Sequence, residues 1–406
     1  MMRARLKVFV SDLLNPRFNA ETSSTAGGPA LYARQRRVGF SRLRFLEPLE
    51  REYRNGFAAT NTVRVGLLHA VGILSLLGFV VFDRYVADHR LSPLGESLLL
   101  VMGLGLLIPV LVANSRWRQS ALQVSLTAGL MANYLALVLV VFVTRLEDSG
   151  FPYESLLLVS FYTYFMSALP LRNAILCGLV PFGVHAVLTA RGLATPPPYW
   201  QYELYYLGLA NLFGMLGRYI IEYQERALYL LQRERAYDAS HDALTGVLNR
   251  RAFLAHAQQV WALAARNQMP IGLALYDLDD FKRVNDLHGH AAGDEVLVAL
   301  TEALSAHARR ATDGIGRQGG DEFVGLWSQC AEADFHRIQN QIAERLEGVT
   351  WGPRQEQTGI STSTGALWVV DARALSLSEA MMQADRLLYD AKASGKRRIH
   401  FSIATH

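Results

Sequence analysis

With 406 residues the chain has room for two or three domains, and a mean hydropathy of +0.13 with 51% apolar residues excludes an ordinary soluble enzyme along the whole length. Two cysteines, Cys177 inside an apolar run and Cys330 far from it, exclude a disulfide framework and a cysteine zinc site, and leave the redox compartment open. A net charge of only +4, with basic residues gathered beside apolar segments, points to membrane orientation rather than nucleic-acid binding.

Residues 1–62 read as a polar, arginine-rich cytoplasmic arm with a flexible patch from Glu21 to Pro29. The early "LKVFV" is too short an apolar core for a cleavable signal peptide. Phe40 to Tyr53 has the pattern of an amphipathic helix, either lying on lipid or solvated. Residues 63–221 hold six apolar segments near spanning length: Val65 to Phe82, Leu94 to Ala113, Leu122 to Thr144, Tyr153 to Leu169, Ala174 to Leu188 and Leu204 to Ile221. The fourth and fifth fall short of the roughly 20 residues of a spanning helix. Arg116, Arg118 and Arg172 mark two loops as cytoplasmic, whereas "RLEDSGFPY" and "GLATPPPYWQYE" carry mainly acidic, proline and aromatic residues. Arg84, Arg90 and Arg191 fall on the opposite side, but the basic arm and the basic stretch after Ile221 outweigh them, so both termini are expected in the cytoplasm.

His69, Asn133, His185 and Asn211 lie within these segments. Such groups are costly in lipid and face a bundle interior or a cavity, either hydrogen-bonding between helices or lining a signal, metal or haem pocket. The cluster "YWQYELYY", Tyr199 to Tyr206, reads as an interfacial aromatic belt. Residues 222–239 continue without Gly or Pro as a linker helix, and Ile220, Tyr223, Ala227, Leu230, Glu234 and Tyr237 follow a 3-4 spacing that predicts a short coiled-coil seam or a plain amphipathic helix.

From about residue 240 to 406 strand-like and helix-like segments alternate. "PIGLALYDLDDF" predicts a buried strand ending at Asp277 and Asp279. A helix is expected from about Gly293 to Arg310, then a hairpin at Gly319-Gly320, a helix from Glu332 to Leu346, a strand in "GISTSTGALWV", a helix through Tyr389 and a last strand near Arg398 to Ser402. The expected fold class is an all-α transmembrane bundle followed by an α+β domain with a mainly antiparallel sheet. Gly-Gly supplies the positive φ of a tight turn, and Asp321 and Glu322 follow it, as a solvated acidic turn or as a cation site. If the strand ending at Asp277 neighbours this hairpin, Asp277 and Asp321 converge with a main-chain carbonyl into a hard oxygen site suited to Mg²⁺ on phosphates.

Residues 240 to 402 resemble the GGDEF domain of diguanylate cyclases. The resemblance rests on "DALTGVLNRRAF", "DLDDFKRVNDLHGHAAGDEVL", "RATDGIGRQGGDEF", "STGA" and "ADRLLYDAKASGKRR", in order and at the family's spacing. It implies a palm-like sheet and the condensation of two GTP into cyclic di-GMP and two pyrophosphates by a homodimer in a bacterial cytoplasmic (inner) membrane. It further implies that Asp277, Asp321 and the carbonyl of Leu278 bind Mg²⁺, with Mn²⁺ as the alternative, and that Lys282 neutralises phosphate charge. Asn285 and Asp294 would read the guanine edge, Gly319 and Gly320 would admit the α-phosphate and ribose, and Lys392 would hold terminal phosphates. Asp321 or Glu322 would take the proton of the attacking hydroxyl, Asp321 being favoured. Where the family commonly has Gly-Arg-Asn, this chain has Gly395-Lys396-Arg397, and Lys396 lacks the bidentate fork of arginine. Arg310 and Asp313, an R-x-x-D separated from Gly319 by five residues, match the family's inhibitory site for its product, against the plain reading of a surface salt bridge. The membrane half is similar only in a general way to six-helix sensor modules. The rival readings are a catalytically silent receptor for GTP or cyclic di-GMP, which the intact motif opposes, and a transporter, opposed by the lack of paired broken helices or an internal repeat.

Overall fold

The computed structural model describes residues 29–85, 91–147, 153–192, 199–352 and 357–405, so the patch from Glu21 to Gly28 and parts of the two acidic and proline-rich loops lie outside the described residues. The helices of the first part are α1 (Pro29–Val38), α2 (Glu47–Tyr85), α3 (Pro93–Ala113), α4 (Arg118–Leu146), α5 (Glu154–Phe161), α6 (Leu171–Ala190) and α7 (Trp200–Ser240). The chain divides into two units, Met1–Arg233 and Glu234–His406, with α7 crossing the division. Among the described residues four helical stretches are long and apolar enough to cross a membrane: Asn61–Tyr85 within α2, α3, α4 and α6. Leu74, Leu100 and Val124 are 67%, 72% and 69% exposed, an outward apolar surface that suits hydrocarbon rather than water.

The expected fourth and sixth crossings are not among the four. Tyr153 to Leu169 is interrupted: the eight residues of α5 run into a π-helical turn, Tyr162–Met166, then Ala168 takes a left-handed φ of 59° and Pro170 precedes the next helix. Leu204 to Ile221 lies inside α7, whose buried face includes Glu203, Arg218, Glu222, Arg226 and Arg233. The helix expected over Phe40 to Tyr53 begins only at Glu47, because Gly39 and Leu43 both have positive φ and the amide of Phe45 donates to the Glu50 carboxylate at 2.8 Å. The polar membrane residues are paired between helices, as the bundle-interior reading expects. Asn133 donates to the Met102 carbonyl, Tyr164 OH to Asn211 Oδ1, Tyr162 OH lies 3.1 Å from His69 Nδ1, and His185 Nε2 lies 2.6 Å from Glu203, which Arg145 also engages.

The second unit comprises β1 (Leu248–Asn249), α8 (Arg250–Asn267), β2 (Ile271–Leu278), α9 (Phe281–His288), α10 (His290–Ser305), β3 (Gly314–Gly319), β4 (Glu322–Ser328), α11 (Glu332–Glu347), β5 (Thr350–Trp351), β6 (Gln357–Thr358), β7 (Thr362–Val369), α12 (Leu377–Ala393) and β8 (Ile399–Ala404). Six strands form one sheet in the order β1-β3-β4-β2-β7-β8, antiparallel except where β1 meets β3 and β7 meets β8. β2 is central and buried throughout: Ala274, Tyr276 and Leu278 face α10 and α11, while Ile271, Leu273 and Leu275 face α8 and α12. Burial on both faces explains why this strand reads as a continuous apolar run rather than an alternation. The helix expected from Gly293 to Arg310 starts at His290 and stops at Ser305, and the expected start of β7 moves from Gly359 to Thr362.

In the first unit the arm is bound to the C-terminal half of α7 by an aromatic and ionic cluster. Arg226 donates to Glu50 at 2.8 Å with both side chains almost inaccessible, pairs with Glu222, and lies over the rings of Phe45 and Tyr53. Arg233 pairs with Glu52, Phe40 packs on Tyr223, and Tyr53 meets Tyr229 edge to face. Burial alone would raise the Glu50 carboxyl, but its hydrogen bonds from Arg226 and the Phe45 amide hold it below its usual value. The expected coiled-coil seam is thus divided, with Ile220 and Tyr223 exposed and Leu230 buried within this unit. Glu50→Gln leaves a buried guanidinium short of its partner, a change that costs about 3–5 kcal/mol. The detergent-solubilised full chain is expected to melt several degrees lower in this variant and to shift little in Arg54→Ala, whose side chain is 61% exposed. Equal shifts in the two variants would show that the buried pair adds nothing to stability.

Candidate active site

The acidic residues of the predicted site gather at one end of the central strand. The β2–β4 register sets Asp277 opposite Glu322, and the amide of Leu278 donates to the Asp321 carbonyl at 3.4 Å. The turn between β3 and β4 takes φ of 154° at Gly319 and 55° at Gly320, backbone that side-chain-bearing residues adopt at a cost, so Asp321 and Glu322 emerge at the strand end. Two lysines stand against these carboxylates. Lys392, in the last turn of α12, reaches Asp277 at 2.6 Å, and Lys396 reaches Asp280 at 2.7 Å. Burial pushes the Asp277 carboxyl up; the Lys392 ammonium opposes this shift, and the charges of Asp321 and Glu322 add to it. The exposed pair behaves in the opposite sense: its hydrogen bond holds Asp280 below and Lys396 above their usual values.

Among the described residues no three His, Cys, Asp or Glu side chains form a ready-made metal cluster. The two carboxylates and one carbonyl at the end of β2 are hard oxygen donors that fit Mg²⁺ or Mn²⁺ when phosphate oxygens and water complete the shell. Lys282 is exposed and Asn285 half-buried on α9, and Asp294 is exposed on α10, so these three lie on the helices that follow β2 rather than in the carboxylate cluster. Asp279, which sequence reasoning placed at a strand end without a role, fastens the loop carrying Lys396. Its carboxylate accepts from Ser363 Oγ at 2.7 Å and from the amide of Arg397 at 3.0 Å, while Lys396 and Arg397 both take positive φ.

Arg310 and Asp313 do not pair with each other through their side chains. Asp313 accepts from the amides of Arg309, Arg310 and Ser328, and Arg310 donates to the carbonyls of Ser328 and Gln329. Both line a pocket of about 570 Å³ together with Arg309, Arg337, His307 and Trp327, which gives it three guanidinium groups. The surface salt bridge between Arg310 and Asp313 is therefore not formed; Asp334, which also lines the pocket, pairs with Arg337 at 2.6 Å.

Sequence reasoning missed Arg317 and Asp242. Arg317 donates from Nε at 2.9 Å and Nη2 at 2.7 Å to the carbonyl of Gly320, and from Nη1 to Asp242 Oδ1 at 2.9 Å, while Asp242 also caps the Asp242–Thr245 turn. One guanidinium thus ties the glycine turn to the start of this unit. The signal in the sequence was weak, since the partners are 75 residues apart. Arg317→Met keeps the length of the side chain and removes every donor. A hydrogen bond from a charged group contributes about 1.5–3 kcal/mol, so amide exchange across Gly320 to Glu322 should accelerate roughly tenfold or more, with β7 unchanged. Hydrogen exchange read by mass spectrometry checks this, and an unaltered turn would remove Arg317 from its support.

Residues 239–398 match the family described as "Diguanylate cyclase, GGDEF domain". An uncharacterised protein, YhcK of Bacillus subtilis, is 32% identical over 208 residues, covering 50% of this chain and 56% of the relative. Diguanylate cyclase DgcS of Shewanella oneidensis is 34% identical over 165 residues, 40% of this chain and 53% of the relative. The chain therefore spans little more than half the length of these two curated relatives. Among solved structures, the GGDEF domain of DgcB from Caulobacter crescentus in complex with c-di-GMP is 28% identical, covering 40% of this chain and 96% of that one, with a TM-score of 0.38. The chain is a helical N-terminal region with apolar helices followed by an α/β GGDEF-like sheet domain.

Proposed function

We propose that the chain is a membrane-anchored diguanylate cyclase that joins two GTP into cyclic di-GMP with release of two pyrophosphates. The observation that carries this reading is the gathering of Asp277, Asp321 and Glu322 beside the glycine turn, with Lys392 paired to Asp277 and Lys396 to the nearby Asp280. Asp277, Asp321 and the Leu278 carbonyl hold Mg²⁺ or Mn²⁺, which when bound spreads the charge of the transferring phosphoryl group and makes the ribose hydroxyl more acidic. Lys392 and Lys396 exchange their carboxylate partners for phosphate oxygens as nucleotide arrives. Lys282 adds a further cation, and Asn285 and Asp294 bind the guanine edge, where adenine would leave their polar groups unpaired. The bare backbone of Gly319 and Gly320 admits the α-phosphate and ribose. Asp321, in preference to Glu322, accepts the proton of the attacking 3′-hydroxyl.

One domain carries one set of these groups, so the reaction takes two domains facing each other across a twofold axis. The membrane unit crosses a bacterial inner membrane six times with both termini in the cytoplasm, and α7 carries its state to the catalytic unit. Product, an anion with two guanine rings, binds at Arg310 and Asp313 and inhibits. The pocket's three guanidinium groups support that reading.

Purified full chain incubated with GTP and Mg²⁺ is expected to release one cyclic di-GMP for every two pyrophosphates. Nucleotide binding with no product would instead favour a silent receptor. Asp277→Asn separates function from stability, because it removes a carboxylate whose charge is disfavoured by burial. Turnover should fall by roughly 100-fold or more, from loss of a group that positions charge on the transferring phosphate. Melting of the metal-free protein should be unchanged or higher. A turnover near that of the parent would remove Asp277 from the metal site.

A further inference from the structure

Gly293 is buried near the start of α10, one residue before Asp294. Glycine is among the poorest helix formers, and alanine would serve the helix better. The reason for glycine here is the neighbouring helix. A Cβ at position 293 would collide with Asn285 Oδ1, lie 3.0 Å from Asn285 Cγ and 3.3 Å from Phe281 Cε2. Backbone bonds fix the two helices at this place: the amide of Gly289 donates to the Asn285 carbonyl at 2.9 Å, and the amide of Gly293 donates to the Gly289 carbonyl at 3.3 Å. Gly289 itself takes a φ of 83° as the chain turns from α9 into α10. The carboxamide of Asn285 makes no hydrogen bond among the described residues, and its closest constraint is the bare face of Gly293.

We propose that Gly293 is a positioning residue for base recognition: by lacking a side chain it lets the Asn285 carboxamide lie against α10 beside Asp294, unpaired and aimed by contact alone. This rests on the reading above in which Asn285 and Asp294 bind guanine, and it adds the element that sets their spacing. A methyl group at 293 would collide with that carboxamide first, the edge of the Phe281 ring standing farther off at 3.3 Å. Asn285 must then rotate away from Asp294, and the pair no longer meets the base edge together.

The test compares Gly293→Ala, Asn285→Ala and the double variant in the detergent-solubilised full chain, with GTP and ITP as substrates and Mg²⁺ present. ITP lacks the exocyclic amine, so the ratio of kcat/KM for the two nucleotides reads recognition of the guanine edge. Gly293→Ala is expected to raise KM for GTP roughly tenfold and lower the GTP preference by a similar factor, with kcat within about twofold, since only binding to the base is lost. The double variant should be no worse than Asn285→Ala, because both changes remove one interaction. A merely structural glycine would lower kcat or the yield of folded protein and leave the nucleotide preference intact. If Asn285→Ala loses the preference and Gly293→Ala keeps it, the inference fails and the guanine reading stands. If Asn285→Ala keeps the preference, the guanine reading itself fails, and the inference with it. Should Gly293→Ala not fold, the double variant, which removes the colliding carboxamide, regains the fold; a misfolded double variant overturns the proposal.

Discussion

Like charges collected at the end of a buried strand are the constraint on which the C-terminal unit is organised. Antiparallel pairing of β2 with β4 forces Asp277 and Glu322 into register, and burial raises the cost of the Asp277 charge. A sheet with only these groups would repel itself there. The answer is spread over distant parts of the chain: α12 lies against β2 and delivers Lys392, while the loop after it is pinned by Asp279 so that Lys396 meets Asp280. The end of β2 is therefore shaped by charge balance as much as by packing.

The first unit meets the same constraint in a different setting. Glu50, Arg226 and Glu222 form a buried row, and Arg145, Glu203 and His185 form another, each charge facing an opposite or hydrogen-bonding partner. Pairs of this kind add little net stability over apolar packing, yet are costly to break. They thus specify which helix faces which more strongly than they hold the unit together, and they determine which face of α7 turns inward.

What was legible in the sequence was local. The apolar run before Asp277 and the Gly-Gly turn each mark a local element by their own chemistry, whereas the pairing of β2 with β4 that brings Asp277 and Asp321 to one end of the sheet was only a condition until the register was seen. Asp242 and Arg317 were not legible, because nothing at either position signals a partner 75 residues away. The two-residue strands β1, β5 and β6 are too short for any periodicity to show. Two of the six expected crossings are not among the four long apolar helices of the described residues, each for a physical reason: one stretch is broken at Ala168 and Pro170, and α7 buries a charged stripe that its average composition conceals. On that helix a 3-4 spacing gives a face and not its partner: Leu230 is buried while Ile220 is exposed, and the neighbouring Tyr229 meets Tyr53 of the chain's own arm.

The lysine-to-carboxylate pairs have a further consequence for how the protein is made. In many small metal-binding domains the metal supplies the energy that gathers its own ligands, and such domains are unfolded without it. Here Lys392 neutralises Asp277 and Lys396 neutralises Asp280 within the same polypeptide. On the function proposed above, charge balance at this site would not wait for a cation or a nucleotide, and scarcity of either would limit the output of the domain rather than the number of folded copies in the cell.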